Sequence, residues 1–158
     1  PYKMRILAVD MGSVRMGLAV TDQLRMTAQP LSSRPGGAVK QMCRTVLDAV
    51  FRYESADTPD TRVGTVVIGH PIHLSGEPSE MSRRAEECVR LLRTYFRQHL
   101  KRPVQVVLWD ERLTSVQAER LMIEAGASRR LRKHKKDQVA AQLILQGYLD
   151  AHRTQTPT

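Results

Sequence analysis

Asp10, Asp137 and the adjacent pair Asp110–Glu111 are the residues of this chain best suited to do chemistry. Asp10 ends the apolar run Ile6-Leu7-Ala8-Val9 and shares strand parity with Ile6 and Ala8. A β reading therefore puts its carboxylate on the face those side chains bury. An ionised carboxylate there is costly unless it is paired or bound to a metal. Asp137 lies three and four residues before Ala140 and Ala141, on the stripe continued by Ile144, Leu145 and Tyr148. On a helix those residues share one face. Asp110 and Glu111 close the run Pro103 to Trp109. Each carboxylate has an ordinary alternative role. Asp10 could cap the turn that follows it, Asp137 could be a helix N-cap, and Asp110 and Glu111 could serve a turn, with Arg112 neutralising one of them. Parallel strands side by side, however, bring their carboxyl ends to one edge of a sheet, where open α/β folds bind ligands. Three or four carboxylates gathered at such an edge suit Mg²⁺ or Mn²⁺, which prefer oxygen ligands. A pair of such ions stabilises both the attacking and the leaving oxygen in phosphodiester cleavage.

The elements that would position these residues follow from hydrophobic periodicity. Strands are expected at Arg5–Asp10, Met16–Thr21, around Thr27–Ser32 with Pro30 marking an edge, Val63–Gly69 and Pro103–Trp109. Val39, Met42, Cys43, Val46, Leu47 and Val50 recur at helical spacing, and a longer helix is expected from about Ser79 to Leu100. Thr114 with Gln117 opens a capping-box helix that Gly126 stops, and a last helix runs from about Asp137 to His152. Three meandering strands followed by alternating helices and strands make an α/β domain with a mixed five-stranded sheet flanked by helices.

Composition limits the partners. A chain of 158 residues, 41% apolar and 26% charged, is expected to fold as one domain, with a core from about 5 to 150 and a frayed tail at 153–158. It has no apolar run long enough to span a membrane and no secretory signal ahead of its first strand. A start at Pro1 reads as a processed or trimmed product. Cys43 and Cys88 read as small buried residues in a reducing compartment, so a cytoplasmic location is expected. The net charge is +9, and Arg129, Arg130, Arg132, Lys133, Lys135 and Lys136 crowd into one stretch. That stretch repels itself and reads as a mobile basic loop that draws nucleic-acid phosphates.

Four segments in register carry a resemblance. Asp10-Met11-Gly12-Ser13-Val14-Arg15-Met16-Gly17-Leu18-Ala19-Val20-Thr21-Asp22 resembles the opening motif of the YqgF/RuvX family. Gly69-His70-Pro71 with Gly76, Asp110-Glu111-Arg112-Leu113-Thr114-Ser115, and Lys136-Asp137 with Ala140-Ala141 and Ile144-Leu145 follow in the family's order. The resemblance covers about residues 5 to 150. It implies a RuvC-like, RNase H-like fold and a nuclease acting in Holliday junction resolution or in pre-16S rRNA processing. It also implies that Asp10, Asp137 and one or both of Asp110 and Glu111 are metal-binding catalytic carboxylates. Two departures stand out: His70 where relatives often carry an aliphatic residue, and Ser75 where they often carry Asp or Asn.

The resulting expectation is metal-assisted phosphodiester hydrolysis, with Arg15, Arg112 and the 129–136 run contacting backbone phosphates. Only 4% of residues are aromatic, which disfavours a base-stacking platform and favours recognition by backbone and shape. His70, His73 and His134 read as surface histidines and Trp109 as a core anchor. A non-catalytic nucleic-acid-binding module is the main competing expectation. An actin-like phosphotransferase using the Asp-x-Gly turn would need a second domain that this length does not provide. A monomer is expected, or a dimer if the substrate is a two-fold junction.

Overall fold

Local sequence explains most of the secondary structure. The computed structural model describes residues 3–54, 61–73, 75–110 and 129–153, with the backbone alone for 129–138 and 153. Five strands form one mixed sheet: β1 (Arg5–Met11), β2 (Arg15–Thr21), β3 (Ala28–Pro35), β4 (Val63–His70) and β5 (Gln105–Asp110). The strand order is β3-β2-β1-β4-β5, with β1, β4 and β5 parallel and β2 antiparallel to both its neighbours. This is the mixed five-stranded sheet the sequence implies. β3 runs to Pro35, three residues beyond its expected end. It lies at the sheet's margin, where a residue without an N–H is tolerated.

Three described helices cover the sheet: α1 (Val39–Arg52), α2 (Glu80–His99) and α3 (Arg129–Arg153). β1 is a near-continuous apolar run because both its faces are covered. Leu7, Val9 and Met11 join the core beneath α1 and α2, whereas Ile6 and Ala8 pack toward α3. On the α1/α2 side, Met42, Cys43, Val46 and Val50 of α1 meet Ala85, Cys88, Val89, Leu92 and Phe96 of α2. The two cysteines are wholly buried, as expected, with their sulfurs 3.0 Å apart. α2 starts at a capping box: the Ser79 hydroxyl accepts from the Ser82 amide (3.0 Å), and the Ser82 hydroxyl accepts from the Ser79 amide (2.7 Å). The end of α1 is tied to the α2–β5 loop by Arg102, whose Nε donates to Glu54 Oε1 at 3.0 Å.

α3 buries Ala140, Ala141, Ile144, Leu145, Tyr148 and Leu149. Its Gly147 leaves room for the Trp109 indole, whose Nε1 would stand 3.3 Å from an added Cβ. Trp109 packs edge-on to Tyr148 in this layer, as the core anchor expected of it. The 129–136 stretch, expected as a loop, is instead helical backbone continuous with the rest of α3. Arg and Lys are strong intrinsic helix formers, and lengthening an anchored helix is far cheaper than starting one. The expected helix at 114–125 lies outside the described residues. Among the described residues, no helix is long and apolar enough to cross a membrane.

Candidate active site

The carboxyl ends of β1, β4 and β5 define one edge of the sheet, and Asp10 and Asp110 both stand there. They do not share a face. Val107 and Trp109 pack in the α3 layer with Ala8 and Val67, whereas Leu108 packs in the α1/α2 core with Val9 and Ile68. Strand alternation therefore carries Asp10 on the α3 face and Asp110 on the opposite face. Asp110 is paired with His70 on β4, and the His70 imidazole Nε2 lies 3.0 Å from Glu86 Oε1 of α2. Glu111 and Arg112 lie outside the described residues.

Asp10 sits half-buried in an open row. Its partner on β2 is Gly17. On β4, Val9 pairs with Ile68, so Gly69 occupies the next row, and Gly69 in turn pairs with Trp109. Opposed residues share a face, and here neither strand beside Asp10 presents a side chain. Glycine within a strand often marks a place where a ligand approaches closely.

The turn after Asp10 is fixed backbone against backbone. A Cβ on Gly12 would come within 2.1 Å of the Arg15 carbonyl oxygen, and one on Gly36 within 2.6 Å of the Gly12 oxygen and 2.8 Å of the Ser13 oxygen. The Gly36 amide also donates to the Val14 carbonyl at 2.8 Å. Arg15, at the start of β2, is exposed and donates to Ser33 Oγ at 2.9 Å.

α3 runs against the direction of β1. Tyr148, Leu149 and His152 line a cavity with Ile6, Thr65 and Gln105, at the beginnings of β1, β4 and β5. Asp137, eleven residues before Tyr148, is therefore about 16 Å back along the helix axis. Ile6 to Asp10 spans about 13 Å of strand. The backbone thus carries Asp137, with Arg129, Arg130, Arg132, Lys133, Lys135 and Lys136 before it, toward the Asp10 end of the sheet. Among the described residues, no three His, Cys, Asp or Glu side chains converge on one point. Asp10 offers at this edge an oxygen donor of the kind a hard divalent cation takes, and His70 is engaged on the other face.

The expectation of a surface histidine at position 70 is corrected. Its side chain is 18% exposed and bridged to Glu86. His73 is exposed as expected, and the His134 side chain lies outside the described set. Sequence reasoning missed the open row and the Gly36 clamp. Glycines inside two strand patterns signalled the first. The second joins segments distant in sequence and left no local signal.

A family model described as "RuvX: Holliday junction resolvase" matches residues 4–151. The chain belongs to the RuvX family. Among RuvX-family relatives, a protein of Halalkalibacterium halodurans named "Putative pre-16S rRNA nuclease" is 39% identical over 148 residues, covering 93% of this chain and 96% of that one. A protein of the same name from Myxococcus xanthus is 39% identical over 150 residues, with 95% and 90% covered. Thermus thermophilus RuvC, solved with a Holliday junction substrate, superposes with a TM-score of 0.54 at 16% identity over 95% of this chain and 96% of that one. The fowlpox virus resolvase, solved with junction DNA, gives 0.54 at 17% identity over 94% and 98%. The fold is thus the RuvC-like, RNase H-like one.

Proposed function

We propose that this RuvX-family chain is a divalent-metal-dependent nuclease that trims precursor 16S rRNA, with Asp10, Glu111 and Asp137 as the carboxylates that hold Mg²⁺ or Mn²⁺. The observation that carries this reading is the open row around Asp10, where the neighbouring strands, with Gly17 and Gly69, set no side chain beside the carboxylate. Bound there, the ions would supply a water of lowered pKa and stabilise the leaving oxygen. The chain's own part is positional. The Gly12–Gly36 clamp fixes the turn beyond Asp10. α3 runs Asp137 to the same end, and its basic first turns, with Arg15 and Arg112, attract backbone phosphates. Asp110 stands on the face opposite Asp10, so of the adjacent pair we assign the metal-holding role to Glu111.

The rRNA substrate is favoured by the relatives at 39% identity, whose name carries it, and implies a cytoplasmic workplace and a monomer. The description of the matching family favours a second reading, a dimer acting on a Holliday junction. The test offers a precursor-16S fragment and a four-way DNA junction to wild type, Asp10→Asn and Asp137→Asn, with Mn²⁺ or Mg²⁺. Metal-dependent cutting of the RNA, lost in both variants, is expected. Cutting of the junction alone would move the substrate to DNA. No cutting, with undiminished salt-sensitive binding in all three proteins, would leave a binding module.

A further inference from the structure

The opposite end of the sheet, where β1, β4 and β5 begin, holds a cavity of about 360 Å³. Its basic lining residues come from three separate segments: Lys3 ahead of β1, Arg25 in the β2–β3 turn and His152 near the end of α3. Thr65, Gln105 and Tyr148 add hydrogen-bonding groups, and among the described lining residues none is acidic.

Arg25 is the informative member. Its φ is 53°, and among the described residues it is the only non-glycine with a positive value. For a long side chain that conformation is disfavoured. The turn enforces it. The Arg25 amide donates to the Asp22 carbonyl (3.1 Å), and the Asp22 carboxylate accepts from the amides of Met26 (2.7 Å) and Thr27 (3.0 Å). Those bonds, Thr27's above all, hold the Asp22 carboxyl below its usual range. The Arg25 Nε donates to the Met4 carbonyl.

The result inverts ordinary hydrophobic sorting. Leu24 and Met26 are 69% and 63% exposed, while the charged residue between them is turned in to line the cavity. Burial depresses the guanidinium's pKa, and the Tyr148 hydroxyl is the group that acts to raise it. A cation taken out of water is costly unless an anion offsets it. The His152 Nδ1 lies 2.8 Å from the Tyr148 carbonyl oxygen, so Nε2 is the ring nitrogen left for another partner.

We propose that this cavity is a phosphate-binding site, separate from the carboxylate edge, which takes the phosphate of a nucleotide or of a nucleic-acid backbone. A guanidinium, an ammonium and an imidazole approaching from three directions suit the several oxygens of a phosphate. Binding here needs neither Asp10 nor a metal, so the site stands or falls independently of the nuclease reading.

The test is an amide and side-chain NMR titration of the full chain, at ionic strength matched between probes and repeated at several salt concentrations for the oligonucleotide. The probes are inorganic phosphate, adenosine 5′-monophosphate and a short single-stranded oligonucleotide. Saturable shifts at Arg25, Thr65 and Gln105, equal in wild type and Asp10→Asn, are expected. Arg25→Asn, whose side chain tolerates the left-handed backbone, should weaken binding at least tenfold. Lys3→Gln combined with His152→Gln should do so without touching that turn. Tighter binding of the mononucleotide than of inorganic phosphate would identify a nucleotide as the ligand. An oligonucleotide preference whose salt slope falls by about one in Arg25→Asn would identify backbone phosphate. The proposal is overturned if no probe gives saturable shifts, or if both the Arg25→Asn and the double variant bind as wild type does.

Discussion

The two faces of the sheet are built to different specifications. The α1/α2 face is a thick aliphatic layer in which Leu7, Val9, Met42, Val46, Ile68 and Leu92 are wholly buried. The α3 face is thinner. Alanines at 8, 19 and 141 bring the helix close to the sheet, and the larger groups include Ile144, Leu145, Leu149 and the Trp109–Tyr148 pair. Both polar features of interest belong to the thin side: Asp10 at one end of β1 and the cation-lined cavity at the other. One face supplies stability, and the other gives up apolar volume to hold charged groups in fixed places.

Truncation should break this asymmetry most plainly. Leu92→Ala in the thick layer should cost about 2–5 kcal/mol, read from urea unfolding, with the activity per folded molecule retained. On the thin face the largest effect should come from filling the open row. Gly17→Val would place a branched side chain beside Asp10 and should lower cleavage about 100-fold, as a misplacement of roughly 1 Å does, while the circular dichroism spectrum keeps its native shape. A loss of stability without a loss of turnover would contradict the role given to that row.

A smaller effect is expected at the margin of the thick face. Arg102 holds the Glu54 carboxyl below the usual carboxylate range, chiefly through its hydrogen bonds. That contribution is complete above the ordinary Glu range and is lost as pH falls through the lowered folded value. Arg102→Gln should therefore cost about 1–3 kcal/mol near neutrality, and its difference from wild type should shrink in acid. Smallest of all, Ile144→Val on α3 should cost about 0.5–1.5 kcal/mol by the same urea measurement.

Much of this was legible in the sequence because it is local. The strand runs, the stripes of α1 and α2, and the Ala140–Tyr148 seam follow from periodicity, and Asp10 was placed on its correct face by parity with Ile6 and Ala8. What was not legible depended on distant partners. Self-repulsion argued for a loop at 129–136, yet the anchored second half of α3 carries the helix through it. His70 reads as exposed until Glu86, sixteen residues on, comes back along α2. Asp110 and Glu111 could not be told apart at a strand end. The pairing of Asp110 with His70, and the assignment of Leu108 to the thick core, give Asp110 its face.

That last distinction is the most direct test of the proposal that Asp110, facing away from Asp10, holds no metal. Cleavage rates with Mn²⁺ would be compared for Asp110→Asn, Glu111→Gln and Asp10→Asn on the same substrate. The account predicts a loss of at least about 10³-fold for Asp10→Asn and Glu111→Gln, on the scale of losing a group essential to transition-state charge, with Asp110→Asn within a few fold of wild type. Full activity in Glu111→Gln together with an inactive Asp110→Asn would contradict it.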